Sequence, residues 1–182
     1  MAASSNTDNI GSELIDFSLR GTDGNIYTES DFRQSKILVL IFMCNHCPYV
    51  KAIADRLVEF QNKFDKTDVQ LAGINSNDEI TYPEDSFDNM KLFAEKHKFN
   101  FPYLHDYTQE TAGKYGAVCT PDIFVYDRDR ILRYRGRLDD SWKDESLVKE
   151  KDLEKAVRLL LENKEIDFTQ IPSIGCSIKW KS

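Results

Sequence analysis

The sequence has no long hydrophobic run and no block of basic residues, and both absences exclude classes of function. The longest apolar run covers residues 37–43, which is far too short to span a bilayer. The 182 residues include 24 Lys plus Arg against 31 Asp plus Glu, a formal net charge of -7. An acidic chain without a basic cluster is poorly suited to bind a nucleic-acid backbone. We therefore expect neither a membrane nor a nucleic acid as a partner.

The first residues also lack the features of a secretion signal. Residues 1–9 contain no basic start and no apolar segment. Four cysteines in such a chain do not suggest a disulfide scaffold, and they indicate free, catalytic or metal-bound thiols in a reducing compartment. We therefore expect a cytoplasmic protein.

Length and composition are those of one globular domain. Hydrophobic residues make up 41% of the chain and charged residues 30%, so wholesale disorder is not expected. Residues 1–10 are small and polar, and we predict that they are disordered. Residues 11–182 are predicted to form a single domain. This domain includes a C-terminal tail, residues 166–182, in which no periodicity is visible.

The hydrophobic pattern alternates between strands and helices along the chain. Residues 37–42 are continuously apolar, which predicts a strand buried on both faces. From Cys47 onward, apolar residues recur at helical spacing. The predicted order is a hairpin followed by β, α, β, α, β, α, β, β and α. This order favours an α/β fold with a central mixed sheet flanked by helices, and Asp23-Gly24 predicts an N-terminal β-hairpin extension.

Cys44 and Cys47 form a Cys-x-x-Cys motif between a predicted buried strand and an amphipathic helix. A thiol at a helix N-terminus meets unpaired N–H groups and the positive end of the helix dipole, and both favour the thiolate. We expect Cys44 to have the lower pKa and to attack the substrate. Cys47 is expected inside the first helical turn, where it would resolve the mixed disulfide. Pro48 is tolerated there because first-turn N–H groups have no intrahelical partner.

The neighbouring residues leave alternatives open. An imidazolium at His46 would stabilise the Cys44 thiolate and make the pair more oxidising, unless the side chain only faces water. The thiols could instead bind a metal, but Cys119 and Cys176 each stand alone, whereas a four-ligand zinc site usually has a second pair. We therefore expect redox chemistry with no metal and no cofactor. Cys119 and Cys176 are candidate additional thiols, and the alternative for Cys176 is a small packing residue.

The buried strand, the Cys-x-x-Cys motif and the distant Thr120-Pro121 together resemble the thioredoxin-fold redoxin superfamily. The resemblance implies a thioredoxin-like fold with a cis Thr120–Pro121 bond in a loop against the Cys-x-x-Cys motif. The N-terminal hairpin is similar to the redoxin branch, which includes AhpC/TSA peroxiredoxins and TlpA-like proteins. Three segments resemble its peroxiredoxin-like thioredoxin-family members: FMCNHCPYV at 42–50, YRGRLDDS at 134–141 and GCSIKWK at 175–181.

The sequence departs from the patterns of both parent families. Peroxiredoxins carry a proline and a threonine that precede the reactive cysteine, and Ile37 and Ile41 occupy these positions here. Thioredoxins carry a buried carboxylate six residues before the first cysteine, and here that residue is Leu38. Met43 stands where thioredoxins have tryptophan. Efficient peroxidase chemistry is therefore not expected, and the deprotonation of Cys47 must depend on another group.

The function predicted from the sequence is thiol–disulfide exchange by the Cys44–Cys47 pair. Its partners would be protein or small-molecule disulfides or peroxides, together with a thiol electron donor such as thioredoxin or glutathione. One alternative is a peroxiredoxin-like thiol peroxidase with Cys44 as the attacking thiol. Another is a non-enzymatic thiol metal-binding protein.

Overall fold

The structure is a computed structural model that describes residues 2–181, so Met1 and Ser182 lie outside the described part. The helices are α1 (Pro48–Asn62), α2 (Phe87–Lys96), α3 (Glu110–Tyr115) and α4 (Asp152–Leu161). The strands are β1 (Ala2–Ser4), β2 (Ser18–Gly21), β3 (Ile26–Thr28), β4 (Ile37–Phe42), β5 (Val69–Asn75), β6 (Tyr103–His105), β7 (Cys119–Thr120), β8 (Asp122–Tyr126), β9 (Leu132–Gly136) and β10 (Ile174–Ser177).

A seven-stranded mixed sheet forms the centre of the fold, in the order β3-β2-β6-β5-β4-β8-β9. Strand β4 pairs in parallel with β5 and antiparallel with β8. Every residue of β4 is buried, as its continuous apolar sequence predicts. Strand β4 therefore ends inside the molecule, and the Cys-x-x-Cys motif directly follows it.

Two hydrophobic cores lie on opposite faces of this sheet because successive side chains of a strand point to opposite sides. Ile37, Val39 and Ile41 pack with the apolar residues of α1, α2 and α4. Leu38 and Phe42 pack on the other face, with residues of α3 and the N-terminal hairpin. The prediction of a central mixed sheet flanked by helices is confirmed. Among residues 2–181, no helix combines the length and hydrophobicity needed to cross a membrane.

A second, three-stranded sheet joins the two ends of the chain, in the order β1-β10-β7. The prediction that residues 1–10 are disordered is therefore wrong for the described residues 2–4, which pair with β10. Next to this strand, the Ser5 N–H donates to the Ser173 carbonyl at 3.0 Å. Buried Arg135 then holds the segment through Asn6 and Asn9, at 2.8 and 3.1 Å. Local periodicity could not predict this pairing because it depends on partners far away in the sequence.

Helix α1 begins one residue later than the sequence suggested. Pro48 occupies its first turn, and Cys47 is the N-cap residue with extended backbone angles. The expectation that Cys47 lies inside the first turn is therefore wrong. As the N-cap residue, Cys47 has its side chain on the side of the helix toward which the unpaired N–H groups of the first turn point.

Candidate active site

Cys44 and Cys47 lie at the end of β4 and the start of α1, and both are free thiols. Both residues are 0% exposed. The Cys47 thiol contacts the Thr120 carbonyl oxygen at 3.1 Å, and the Cys44 sulfur lies 3.4 Å from the Thr120 hydroxyl oxygen. The sequence-predicted cysteine pair thus meets the sequence-predicted Thr-Pro loop in space, although more than 70 residues separate them.

The Thr120–Pro121 peptide bond is cis, as the resemblance implies. Thr120 ends β7, and its backbone pairs with Cys176 of β10. Thr120 therefore contacts the Cys-x-x-Cys motif with both its hydroxyl and its carbonyl group, and its backbone pairs with strand β10.

The two thiols differ strongly in pKa. A hydrogen bond from Cys44 lowers the pKa of Cys47 to about 4, against an opposing effect of burial. Further hydrogen bonds from the Cys176 thiol and the Val50 backbone N–H also lower the pKa of Cys47. The bond to Cys47 raises the pKa of Cys44 well above its usual range, and burial and the nearby Asp85 charge raise it further. The lower pKa of the pair is thus on Cys47, which favours the thiolate there, and the higher pKa is on Cys44.

This order of pKa values is the reverse of the sequence-based expectation that Cys44 has the lower value. The hydrogen bond from Cys44 is the largest cause of the low pKa of Cys47, and the Val50 backbone N–H in the first turn of α1 adds to it. Cys44 lies three residues earlier and faces a carboxylate instead. The motif alone could not reveal this difference because it depends on where the helix begins and on a distant acid.

Asp85 is the residue of the candidate site that sequence reasoning missed. Its carboxylate is 0% exposed and accepts hydrogen bonds from the backbone N–H groups of Asn45 and His46 at 2.7 and 3.2 Å. The Asn77 side-chain amide donates to it at 2.6 Å. Asp85 therefore fixes the loop between the two cysteines. It follows Pro83 in a 3-10 turn, and no local pattern links that turn to a motif 40 residues earlier.

His46 lies between the buried carboxylate and an aromatic ring. Its Nδ1 atom is 2.6 Å from Asp85 Oδ2, and its imidazole stacks on Tyr82 with ring centroids 5.6 Å apart. Donor atoms of Cys44, His46 and Asp85 lie within 4.8 Å of one another. Sulfur, imidazole and carboxylate are ligand types that zinc accepts. Here the carboxylate already accepts several hydrogen bonds within the protein, so a metal would have to displace them.

We expect His46 and Asp85 to shift the reduction potential of the pair in opposite directions. His46→Ala removes the imidazole beside the Asp85 carboxylate. The negative charge of Asp85 then acts more strongly on the cysteine pair and destabilises its thiolate form, so the pair becomes more reducing. Asp85→Asn removes the charge that raises the pKa of Cys44, which makes the pair more oxidising. A pKa change of one unit is worth about 1.4 kcal/mol, or about 30 mV for this two-electron couple. Glutathione titration of both variants measures the shifts, and shifts of the same sign would contradict this electrostatic account.

The two candidate additional thiols have different surroundings. Cys176 is half-buried and packs against the core that contains Cys44 and Cys47. Cys119 is fully buried, and its sulfur lies 3.5 Å from the Pro121 carbonyl oxygen. Burial raises the pKa of Cys119 far above its usual range, so this thiol stays protonated. The structure thus packs Cys176 against the core that contains the motif, whereas the Cys119 sulfur lies against the Pro121 carbonyl.

Comparison with known proteins identifies the family. The AhpC/TSA family matches residues 10–135, and the chain belongs to this family. An uncharacterized conserved protein from Geobacillus kaustophilus is 43% identical, with a TM-score of 0.94 over 100% of this chain and 97% of that one. A hypothetical protein from Sinorhizobium meliloti is 37% identical, with a TM-score of 0.92 over 98% of each chain.

More distant structures share the fold. A secreted disulfide oxidoreductase from Mycobacterium tuberculosis is 20% identical and has a TM-score of 0.61, over 79% of this chain and 96% of that one. No curated protein matches the chain. The protein is therefore a thioredoxin-fold member of the redoxin superfamily, and both the predicted fold and the predicted family are confirmed.

Proposed function

We propose that the protein is a thiol–disulfide oxidoreductase in which Cys44 and Cys47 exchange electrons with protein or small-molecule disulfides. The observation that carries this proposal is the geometry of the pair: two free thiols at the start of α1 meet the cis Thr120–Pro121 loop, with sulfur-to-oxygen distances to Thr120 of 3.4 and 3.1 Å. A thiolate is the nucleophile in disulfide exchange, and a second thiol within reach completes the reaction.

The pKa order assigns the first attack to Cys47. Its thiolate attacks one sulfur of a substrate disulfide, so that a mixed disulfide forms and the other substrate sulfur leaves as a thiolate. Cys44 then loses its proton to that leaving group or to solvent and attacks the Cys47 sulfur. The second substrate thiolate leaves, the substrate has gained two electrons, and the pair is a disulfide. Two electrons from a thiol donor such as thioredoxin or glutathione restore the reduced pair.

An apolar cleft beside the cis-proline loop supports an extended substrate such as a protein segment. The cleft has a volume of about 130 Å³, and its lining includes Pro121, Ile53 and Trp142. Trp142 and Ile171 on its rim are partly exposed. Both cysteines of the pair are fully buried. A substrate disulfide can therefore reach Cys47 only after the surrounding chain has moved.

A thiol peroxidase reaction is the second candidate, and the family and the low pKa of Cys47 favour it. Peroxide reduction also needs groups that hold the peroxide. Ile37 and Ile41, at the positions named above, pack in the core as apolar side chains and cannot do so. Disulfide exchange is therefore the better-supported reaction.

Oxidation of the reduced protein by glutathione disulfide and by hydrogen peroxide, in parallel, tests this proposal. We expect glutathione disulfide to produce an intramolecular Cys44–Cys47 disulfide, identified by peptide mapping, and to act at least about tenfold faster than equimolar peroxide. The control is Cys119→Ser, whose thiol lies outside the exchange and whose loss should change neither rate. Faster oxidation by peroxide would support the peroxidase instead. A stoichiometric metal in protein purified without chelator would support the metal-binding alternative.

A further inference from the structure

Three cysteines converge on Thr120. Its hydroxyl lies 3.4 Å from the Cys44 sulfur, and its carbonyl oxygen lies 3.1 Å from the Cys47 sulfur. Its backbone is the register partner of Cys176 in the small sheet. Cys176 also packs against the hydrophobic core that contains Cys44 and Cys47. Thr120 therefore brings three cysteines together at one place in the fold.

The C-terminal strand is fitted closely against this site. A Cβ atom built at Gly175 would lie 2.0 Å from the Thr120 carbonyl oxygen and 2.5 Å from its carbonyl carbon. Only glycine permits such an approach of the two backbones. Cys176 follows directly, so the position of its thiol is set by the same contact that holds the loop against Cys44 and Cys47.

We propose that Cys176 is a third redox thiol, which takes over the disulfide from Cys44 and presents it to the external thiol donor. This proposal rests on the function proposed above. Cys176 is half-buried whereas Cys44 and Cys47 are fully enclosed, so it is the member of the cluster that a donor reaches most easily. The substrate and the donor would then act on different sulfurs of one cluster.

The relay is an internal disulfide exchange and needs no added oxidant. The Cys176 thiol loses its proton to solvent, and its thiolate attacks the Cys47 sulfur of the Cys44–Cys47 disulfide. The Cys47–Cys176 bond forms, the Cys44–Cys47 bond breaks, and Cys44 leaves as a thiolate that regains a proton. A donor thiolate then attacks the Cys176 sulfur and releases Cys47. A second donor thiolate attacks the resulting mixed disulfide, releases Cys176, and leaves the donor oxidised by two electrons.

Oxidation of the first two cysteines favours the thiolate of Cys176. In the reduced protein, burial raises the pKa of Cys176 to about 11, with additional contributions from its hydrogen bond to Cys47 and the Cys47 charge. Formation of the Cys44–Cys47 disulfide removes both of these contributions, while the Lys179 charge continues to favour the thiolate. Oxidation of the pair therefore shifts Cys176 toward its thiolate, while burial continues to raise its pKa.

The test follows re-reduction of the preformed Cys44–Cys47 disulfide by reduced glutathione, with alkylation and peptide mapping at successive times. In the unmodified chain, we expect a transient Cys47–Cys176 disulfide. In Cys176→Ser, we expect re-reduction to slow by at least about tenfold, because serine cannot form the second disulfide. Serine is nearly the same size and can donate the same hydrogen bond, so a merely structural role of Cys176 would survive this substitution.

A second variant tests the geometry without Cys44. Cys44→Ser leaves Cys47 and Cys176 as the two thiols beside Thr120, and glutathione disulfide should join these two residues. Cys119→Ser is the matched control and should leave re-reduction unchanged. Equal re-reduction rates in Cys176→Ser and the unmodified chain, with no Cys47–Cys176 disulfide in either experiment, would overturn the relay. Failure of the Cys44–Cys47 disulfide to form at all would instead overturn the proposed function, so the two failures are distinguishable.

Discussion

Replacement of Cys47 with serine should abolish the first attack on a substrate disulfide, whereas replacement of Cys44 should leave that attack largely intact. The thiolate of the reduced site is on Cys47, and a serine hydroxyl there has no comparable nucleophilicity. Loss of the nucleophile should reduce the rate by a factor of at least about 1000. In Cys44→Ser, the new hydroxyl can still donate its hydrogen bond to Cys47, so we expect a loss of less than about tenfold.

The measurement is the burst of thiolate released from a chromogenic aromatic disulfide at stoichiometric concentration. The double variant Cys44→Ser, Cys176→Ser should then accumulate a mixed disulfide on Cys47, because it has no thiol in contact with that sulfur. Thermal unfolding of each variant shows whether its fold is intact. Retention of the burst in Cys47→Ser, with the mixed disulfide on Cys44, would restore the roles that the sequence pattern suggested.

The elements of the fold were largely predictable because most of them have strong local signals. The continuous apolar run of β4 and the helical spacing after Cys47 each identify an element without any knowledge of its neighbours. The Asp23-Gly24 turn likewise identified the N-terminal hairpin. The small sheet was missed because β1 and β10 are short, and their pairing joins opposite ends of the chain.

The chemistry of the site was less predictable than its residues. The Cys-x-x-Cys motif and Thr120-Pro121 could be identified in the sequence because a motif at a strand–helix junction is a local feature, and the two meet in the structure. The pKa values of the two thiols depend in part on Asp85 and on Cys176. Both influences come from distant parts of the chain, which the spacing of residues in one sequence does not reveal.

The reduction potential of the pair should fall by only about 30 mV per pH unit between about pH 6 and about pH 8. In this range the reduced site holds one thiolate, on Cys47, and one proton, on Cys44. Oxidation to the disulfide therefore releases one proton for every two electrons. Two thiols with an ordinary pKa near 8.5 would release two protons over most of this range, and the slope would be about twice as steep.

Glutathione titrations at several pH values measure the slope, and the sign follows from the proton count. Rising pH favours the state with fewer protons, which is the disulfide, so the potential becomes more negative. Asp85→Asn is an informative comparison, because loss of its charge lowers the pKa of Cys44 and should flatten the slope further at the upper end of the range. A slope of about 60 mV per pH unit throughout would mean that both thiols are protonated in the reduced protein, and Cys47 could not then be its thiolate.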